Sequence, residues 1–281
     1  MGAAGSFEGD KGLALTAVDW LVDHHRTKEL ERRQMVEDLE LKPGDVVLDL
    51  GCGPGLWTQL MAEQVAPNGK IIGADLSPGL IRYAVDVACT SVPDLTAFVM
   101  ADFYRIPFAD DTFDAVFFGN CLAYVSDAVT LLEEHKRVTR AGGRVIAKDF
   151  DGAVIIFNPL DVQLSLTVMR AAARALTEQP RDPPFDNFVG RKLHGFFVRA
   201  GFREVSTRTY AVQKVAPLSP EAKRYIAGNA GWYGDTAAPY LSRDELRQWQ
   251  AAFDPEADEY ILDRDDFYFC MLEMVTVARA P

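Results

Sequence analysis

At 281 residues, with 48% apolar and 25% charged side chains, the chain can bury a full core and is expected to be one large globular domain with elaborations, which excludes a disordered class. Its 41 acidic against 29 basic residues leave a formal net charge of −12, a balance that disfavours nucleic-acid backbones and anionic membranes as partners and leaves a small molecule as the expected one. Cys52, Cys89, Cys121 and Cys270 form no CxxC pair, so no metal site or redox dithiol is expected, and reduced thiols fit a cytoplasmic setting.

The first residues match the myristoylation pattern M-G-x-x-x-S across Gly2–Ser6. Glu8 and Asp10 follow where a basic second membrane signal would be needed, so neither an anchor nor a secretion leader is expected. No apolar run is long enough to span a bilayer. From Leu13 to Leu39 apolar residues such as Val18, Leu21, Val22 and Met35 recur at helical spacing, which predicts one or two amphipathic helices. "KPGD", Lys42–Asp45, ends them.

Short β-rich runs then alternate with helical ones: strand Val46–Leu50, helix Leu56–Gln64, strand Lys70–Ala74, helix Gly79–Cys89, strands Thr96–Met100 and Asp114–Phe118, helix Asp127–Thr139, strand Gly143–Asp149. Alternation of this kind with continuously apolar strands predicts a parallel sheet covered on both faces. Beyond Asp149 the predicted helices Leu160–Leu176 and Gly190–Ala200 flank "EQPRDPPFDNF", whose three prolines exclude regular structure. A strand at Glu204–Val212, a helical stretch and a last β pattern at Phe267–Arg279 complete the chain.

The first strand runs into "VVLDLGCGPGLWTQLMA", Val46–Ala62, with Gly51, Gly53 and Gly55 at the turn into a helix. Glycines there permit a tight reversal and let a ligand lie on bare backbone, while the helix N-terminus offers unpaired N–H groups. A dinucleotide fingerprint would place a glycine where Leu56 stands, which counts against a dehydrogenase. Asp75 ends the second strand, where a carboxylate accepts from a ribose diol. Asp102 follows the third strand and can accept from an exocyclic amine, with Phe103 beside it for apolar contact with a base.

These blocks, "VVLDLGCGPG", "GADLSPGLI", "ADFYRIPF", "DDTFDAVFFGNCLAYV" and "LLEEHKRVTRAGGRVIAKD", in this order, resemble the class I S-adenosylmethionine-dependent methyltransferases, small-molecule type, related to quinone and sterol C-methyltransferases. The resemblance covers about Asp45–Asp151 and implies a Rossmann-like, seven-stranded, mostly parallel sheet with an antiparallel last strand and helices on both faces. It implies S-adenosyl-L-methionine as cofactor. Asp49 would steady the loop, Gly51, Gly53 and Gly55 face the methionine part, and Asp75 hold the ribose with Leu76 beside the adenine. Asp102 and Phe103 would take the base, and Asn120 would close over the amino-acid end. The domain reading is an N-terminal helical lid at 1–44 and a methyltransferase domain at 45–281, with substrate-cap segments at about 152–202 and 213–266 that include a helical insertion between the last two strands.

Asp149 and Asp151, at the end of the fifth strand, are candidates for a base or cation partner, and His24 is a candidate from the lid. His135 is expected to be exposed on an outer helix face, and His194 and Cys52 to have structural duties. "GNAGWYGD" sets Trp232 and Tyr233 among glycines, which predicts a mobile loop whose aromatic pair contacts an apolar or planar acceptor. The expected activity is methyl transfer to a small organic acceptor, by a monomer or a homodimer. A cyclase that keeps the cofactor bound without transferring its methyl, or a silent binding subunit, are the rival readings.

Overall fold

The computed structural model describes Gly9, Lys11 and residues 15–178 and 184–281. The Gly2–Ser6 pattern, the Leu13 start of the first predicted helix and the 179–183 part of the proline-rich loop lie outside the described residues. The chain divides into two compact units. The first comprises Glu29–Phe150, Phe188–Tyr210 and Glu273–Pro281; the second comprises the residues up to Lys28, Asp151–Asn187 and Ala211–Leu272.

In the first unit, α2 (Glu29–Glu37) precedes β1 (Val46–Leu50), α3 (Leu56–Val65), β2 (Lys70–Asp75), α4 (Pro78–Tyr83), β3 (Thr96–Met100), β4 (Phe113–Gly119) and α5 (Ala128–Val138). After β5 (Thr139–Asn158), which runs on into the second unit, come α7 (Leu193–Arg199), the first part of β6 (Arg203–Val215) and the last part of β7 (Tyr268–Arg279). The seven strands form one sheet in the order β3-β2-β1-β4-β5-β7-β6, parallel except for the antiparallel β5-β7-β6 edge. The continuous apolar runs of β1, β4 and β5 are the core: Val47, Leu48, Leu50, Ala115–Phe118 and Val145–Ala147 are all fully buried. Each Leu- or Phe-sized side chain so buried stabilises the fold by about 1.5–3 kcal/mol relative to exposure.

Register sets the site. Leu50 pairs with Ala74, Asp75 with Met100 and Gly119 with Lys148, so the carboxyl ends of β1 to β4 are brought level with one another and with the middle of β5, and the loops after β1 to β4 converge on one edge. Two elements and one side chain differ here from the sequence expectation. β5 is 20 residues long rather than ending at Asp149, because "AVIIF" after Gly152 continues it with alternating exposure. The helix predicted at Gly79–Cys89 is α to Tyr83 and a π turn over Ala84–Ala88. His135 is fully buried rather than exposed: α5 presents it inward, its ring 4.9 Å from that of Phe118 and at 76° to it. Burial drives its imidazole down to about 3, so it is neutral.

The second unit holds α1 (Val18–Thr27), α6 (Val162–Glu178), α8 (Pro220–Ala237) and α9 (Arg243–Ala252), with α8 packed against the other three, together with the remaining parts of β5, β6 and β7. Arg224 on α8 makes a two-point ion pair with Asp23 on α1, at 2.6 and 2.7 Å. "GNAGWYGD" is here a correction: it is the last half of α8, with Trp232 4% and Tyr233 2% exposed, and no loop. Ser219 caps the helix and Pro220 starts it, and packing overrides a cost of about 1 kcal/mol for each interior glycine. Gly234 is needed for close approach, since a Cβ there would come within 2.9 Å of Trp249. Among the described residues no helix is long and apolar enough to cross a membrane.

Candidate cofactor site

The turn after β1 holds Gly51, Gly53 and Gly55 at φ of +66°, +54° and +74°, a left-handed region in which any other side chain is strained. Space forbids a Cβ as well: at Gly51 it would lie 2.5 Å from Cys121 Sγ, and at Gly55 2.7 Å from Ala84 Cβ. Gly55 is the N-cap of α3, and no side chain caps that helix, so its first N–H groups are left as donors with the positive end of the helix behind them.

Two carboxylates hold this loop. Asp49, 1% exposed, accepts the Thr58 hydroxyl at 2.5 Å and so ties the end of β1 to α3. Burial pushes its pKa up to about 7; Thr58 pulls it down and Asp75 adds repulsion. Asp75 accepts the Gly53 N–H at 2.9 Å through one oxygen and the Ser77 N–H at 2.8 Å through the other. Leu76 beside it is 42% exposed, consistent with a surface left open for a ligand.

Along the same edge, Asp102 accepts the Tyr104 N–H at 2.8 Å, and Phe103 packs edge-on against Phe118 at 5.4 Å. Asn120 directly follows β4, with φ of +60°, uncommon outside glycine. Its N–H donates to Lys148 O at 2.7 Å and its side-chain oxygen accepts from Lys148 Nζ at 2.9 Å. Asp149 is fully buried and accepts the Phe150 N–H at 3.0 Å. Burial holds it well above the usual carboxylate range, while Lys148 and the N–H groups of Phe150 and Ala123 oppose the shift. Cys52, central in the loop, is a buried thiol that burial and nearby carboxylates keep protonated.

The other sequence candidates belong to the second unit. Asp151 is 1% exposed and accepts the Ala153 N–H at 3.0 Å. Tyr233 donates to Gly152 O and accepts from Asn187 Nδ2, each at 2.9 Å, and Trp232 stands edge-on to it at 5.0 Å. His24 stacks on Tyr225, 5.0 Å apart and 8° from parallel. Sequence reasoning missed Lys148, Glu273 and Asn187. The signal for the first two was available, a charge inside each of the apolar strands "VIAKDF" and "MLEMV".

A parallel Rossmann-like sheet with a bare glycine loop held against an acid at the end of β2 defines the nucleotide-cofactor binding class. A family model described as a methyltransferase domain matches residues 41–184, just over half of the sequence, and the chain belongs to that family. It is 39% identical over 115 residues to a demethylmenaquinone methyltransferase of Symbiobacterium thermophilum. That alignment takes in 41% of this chain and 46% of the relative, so the chain spans about half the relative's length. A Bacillus halodurans protein, itself a proposed methyltransferase, shares the fold with TM-score 0.58 at 14% identity, covering 90% of this chain and 99% of that one. The [4+2]-cyclase SpnF shares it with TM-score 0.52 at 17% identity, covering 89% and 81%.

The residues fit S-adenosylmethionine. Its amino-acid end needs backbone donors on a tightly turned loop, its ribose a carboxylate, and its base an acid beside an apolar ring. The loop of glycines, Asp75, and the pair Asp102 and Phe103 supply these along one edge of the sheet.

Proposed function

We propose that this chain transfers the methyl group of S-adenosylmethionine to a small organic acceptor, a specialised or cofactor metabolite, at carbon, oxygen or nitrogen. The observation that carries the reading is the left-handed glycine loop pinned by Asp75 at the uncapped start of α3. The bound cofactor supplies a methyl group already activated on a sulfonium. The chain's task is therefore orientation, which in favourable model systems supplies about 7–11 kcal/mol. Gly51, Gly53, Gly55 and Asp75 hold the amino-acid end and ribose, Leu76, Asp102 and Phe103 hold the base, and Asn120 orients the amino-acid end. Where the acceptor must lose a proton, Asp149 or Asp151 takes it on a carboxylate oxygen. The raised pKa of Asp149 supports that role for it. His24, Trp232 and Tyr233 remain proposed contacts of the acceptor.

A cytoplasmic setting and the absence of nucleic-acid and membrane partners belong to the same proposal. So do the lid at 1–44 and the cap segments at about 152–202 and 213–266, which limited proteolysis with and without S-adenosylhomocysteine would test. The decisive experiment incubates the protein with methyl-labelled S-adenosylmethionine and a metabolite extract, followed by mass spectrometry. A labelled small molecule supports transfer and locates the atom methylated. Turnover of an extract component with the label still on the cofactor favours a cyclase, a chemistry that SpnF performs on this fold. Failure to bind the cofactor at all refutes the reading of Gly51–Gly55.

A further inference from the structure

Midway along β5, level with the carboxyl end of β4, lies a buried ion pair that none of the proposed binding roles uses. Lys148 on β5 and Glu273 on β7 are each fully buried, with Nζ and Oε2 2.7 Å apart. The same ammonium lies 2.9 Å from Asn120 Oδ1 and 5.8 Å from the centre of the Trp57 indole, two residues beyond Gly55 in α3. Arg32 covers that indole too, at 4.7 Å. A pair of charges in such a place is a poor device for stability alone, because desolvating both ions offsets most of their attraction and well-packed apolar residues do as well or better. Its geometry serves Asn120 instead. The backbone N–H of Asn120 donates to Lys148 O and its side-chain carbonyl accepts from Lys148 Nζ, so one residue grips the asparagine at two points.

That grip fixes two things. It holds Asn120 in the left-handed conformation, φ +60°, which a non-glycine residue adopts at some cost. It also settles the amide's orientation, since an ammonium can only donate: the oxygen must face Lys148, and the NH2 group is left as the donor at the end of β4. Glu273 in turn holds the ammonium in place, 2.7 Å from it.

We propose that the Lys148–Glu273 pair is a positioning device that pre-orients Asn120 to donate to the amino-acid end of the bound cofactor. The proposal rests on the methyltransferase reading, which places Asn120 there. Lys148 and Glu273 do not touch the ligand; they act through Asn120.

The test is S-adenosylhomocysteine binding by calorimetry, with thermal unfolding in parallel. Lys148→Met alone removes the cation 2.7 Å from buried Glu273 and need not fold, so the informative variant is the double Lys148→Met/Glu273→Met, with Asn120→Gly as reference because glycine keeps the backbone turn and removes only the amide. The double variant is expected to unfold within a few degrees of the wild type yet bind at least about tenfold more weakly. Asn120→Gly is expected to lose a similar factor, and the triple variant no more than either, since effects on one unit are not additive. Double-variant affinity within about threefold of wild type overturns the proposal, and so does full additivity in the triple, which would mean that Lys148 contacts the ligand itself. No binding by the wild type would overturn the methyltransferase reading first and this inference with it.

Discussion

Asp49 accepts the Thr58 hydroxyl and still lies where its own charge is disfavoured, because burial outweighs that hydrogen bond and lifts it to about 7. An acid whose folded pKa lies above its unfolded value contributes stability that is full below the unfolded pKa and lost as pH rises through the folded one. From 3.8 to about 7 the shift corresponds to an upper bound of roughly 4 kcal/mol for the buried charge. Asparagine in its place can still accept from Thr58 and carries no charge. Asp49→Asn is therefore expected to match the wild type in stability near pH 4 and exceed it above pH 7, read from urea unfolding of the cofactor-free protein across that range. Asp75 behaves otherwise, since its two oxygens are engaged with the N–H groups of Gly53 and Ser77 before any ligand arrives. Hydrogen bonds to a charged group are worth about 1.5–3 kcal/mol each, so Asp75→Ala should weaken S-adenosylhomocysteine binding by roughly ten- to a hundredfold while the protein stays folded. Unchanged affinity would mean that the acid at the end of β2 does not serve the cofactor.

Among the elements, β5 and α8 were the ones least legible in the sequence, each for a definite reason. Asp149, Asp151 and Gly152 look like a strand's end, and the β-branched run behind them is short; only the structure shows it continuing β5. The three glycines around Trp232 argue for a loop by propensity, but Trp249 packs against Gly234 and donates to Ala230 O at 2.7 Å, and tertiary packing decides. Tyr233 then acquires a role that spacing could not reveal. Its hydroxyl and the backbone of Asn187 clip Gly152 from both sides, with Gly152 N–H donating to Asn187 O at 2.8 Å and Tyr233 donating to Gly152 O. A side chain at Gly152 would collide with Asn187 and that hydroxyl. Tyr233→Phe keeps the ring against Trp232 but strands a buried carbonyl, and should cost about 1–3 kcal/mol in urea unfolding. Gly152→Ala should be worse, because both partners of the clip must move. If Tyr233→Phe leaves stability untouched and instead weakens acceptor binding, Tyr233 is a substrate contact, as its sequence position first suggested.

At the scale of the whole molecule, the sheet and its glycine loop were legible because their signals are local: apolar strands, left-handed glycines, acids at strand ends. The buried partners were not, because Lys148 meets Glu273 across 125 positions of chain and no spacing rule links them. Charge was legible as a total and misleading in detail. The stretch "HKRVTR", His135–Arg140, reads as a basic patch, yet its cations are spent internally. His135 is neutral, Lys136 bonds Ala200 O, Arg137 pairs with Asp110 and Glu134 at 2.6 Å, and Arg140 pairs with Asp114. Phosphate backbones are bound by lysines and arginines that displace the condensed counterions, which cations already paired within the protein do poorly, and a net charge of −12 adds a long-range repulsion. Fluorescence anisotropy with labelled RNA and duplex DNA should thus show no binding at about 100 mM salt with protein up to roughly 10 µM. Binding that weakens steeply with salt would require a basic face assembled from other residues, and the acceptor would then have to be sought among nucleic acids rather than small metabolites.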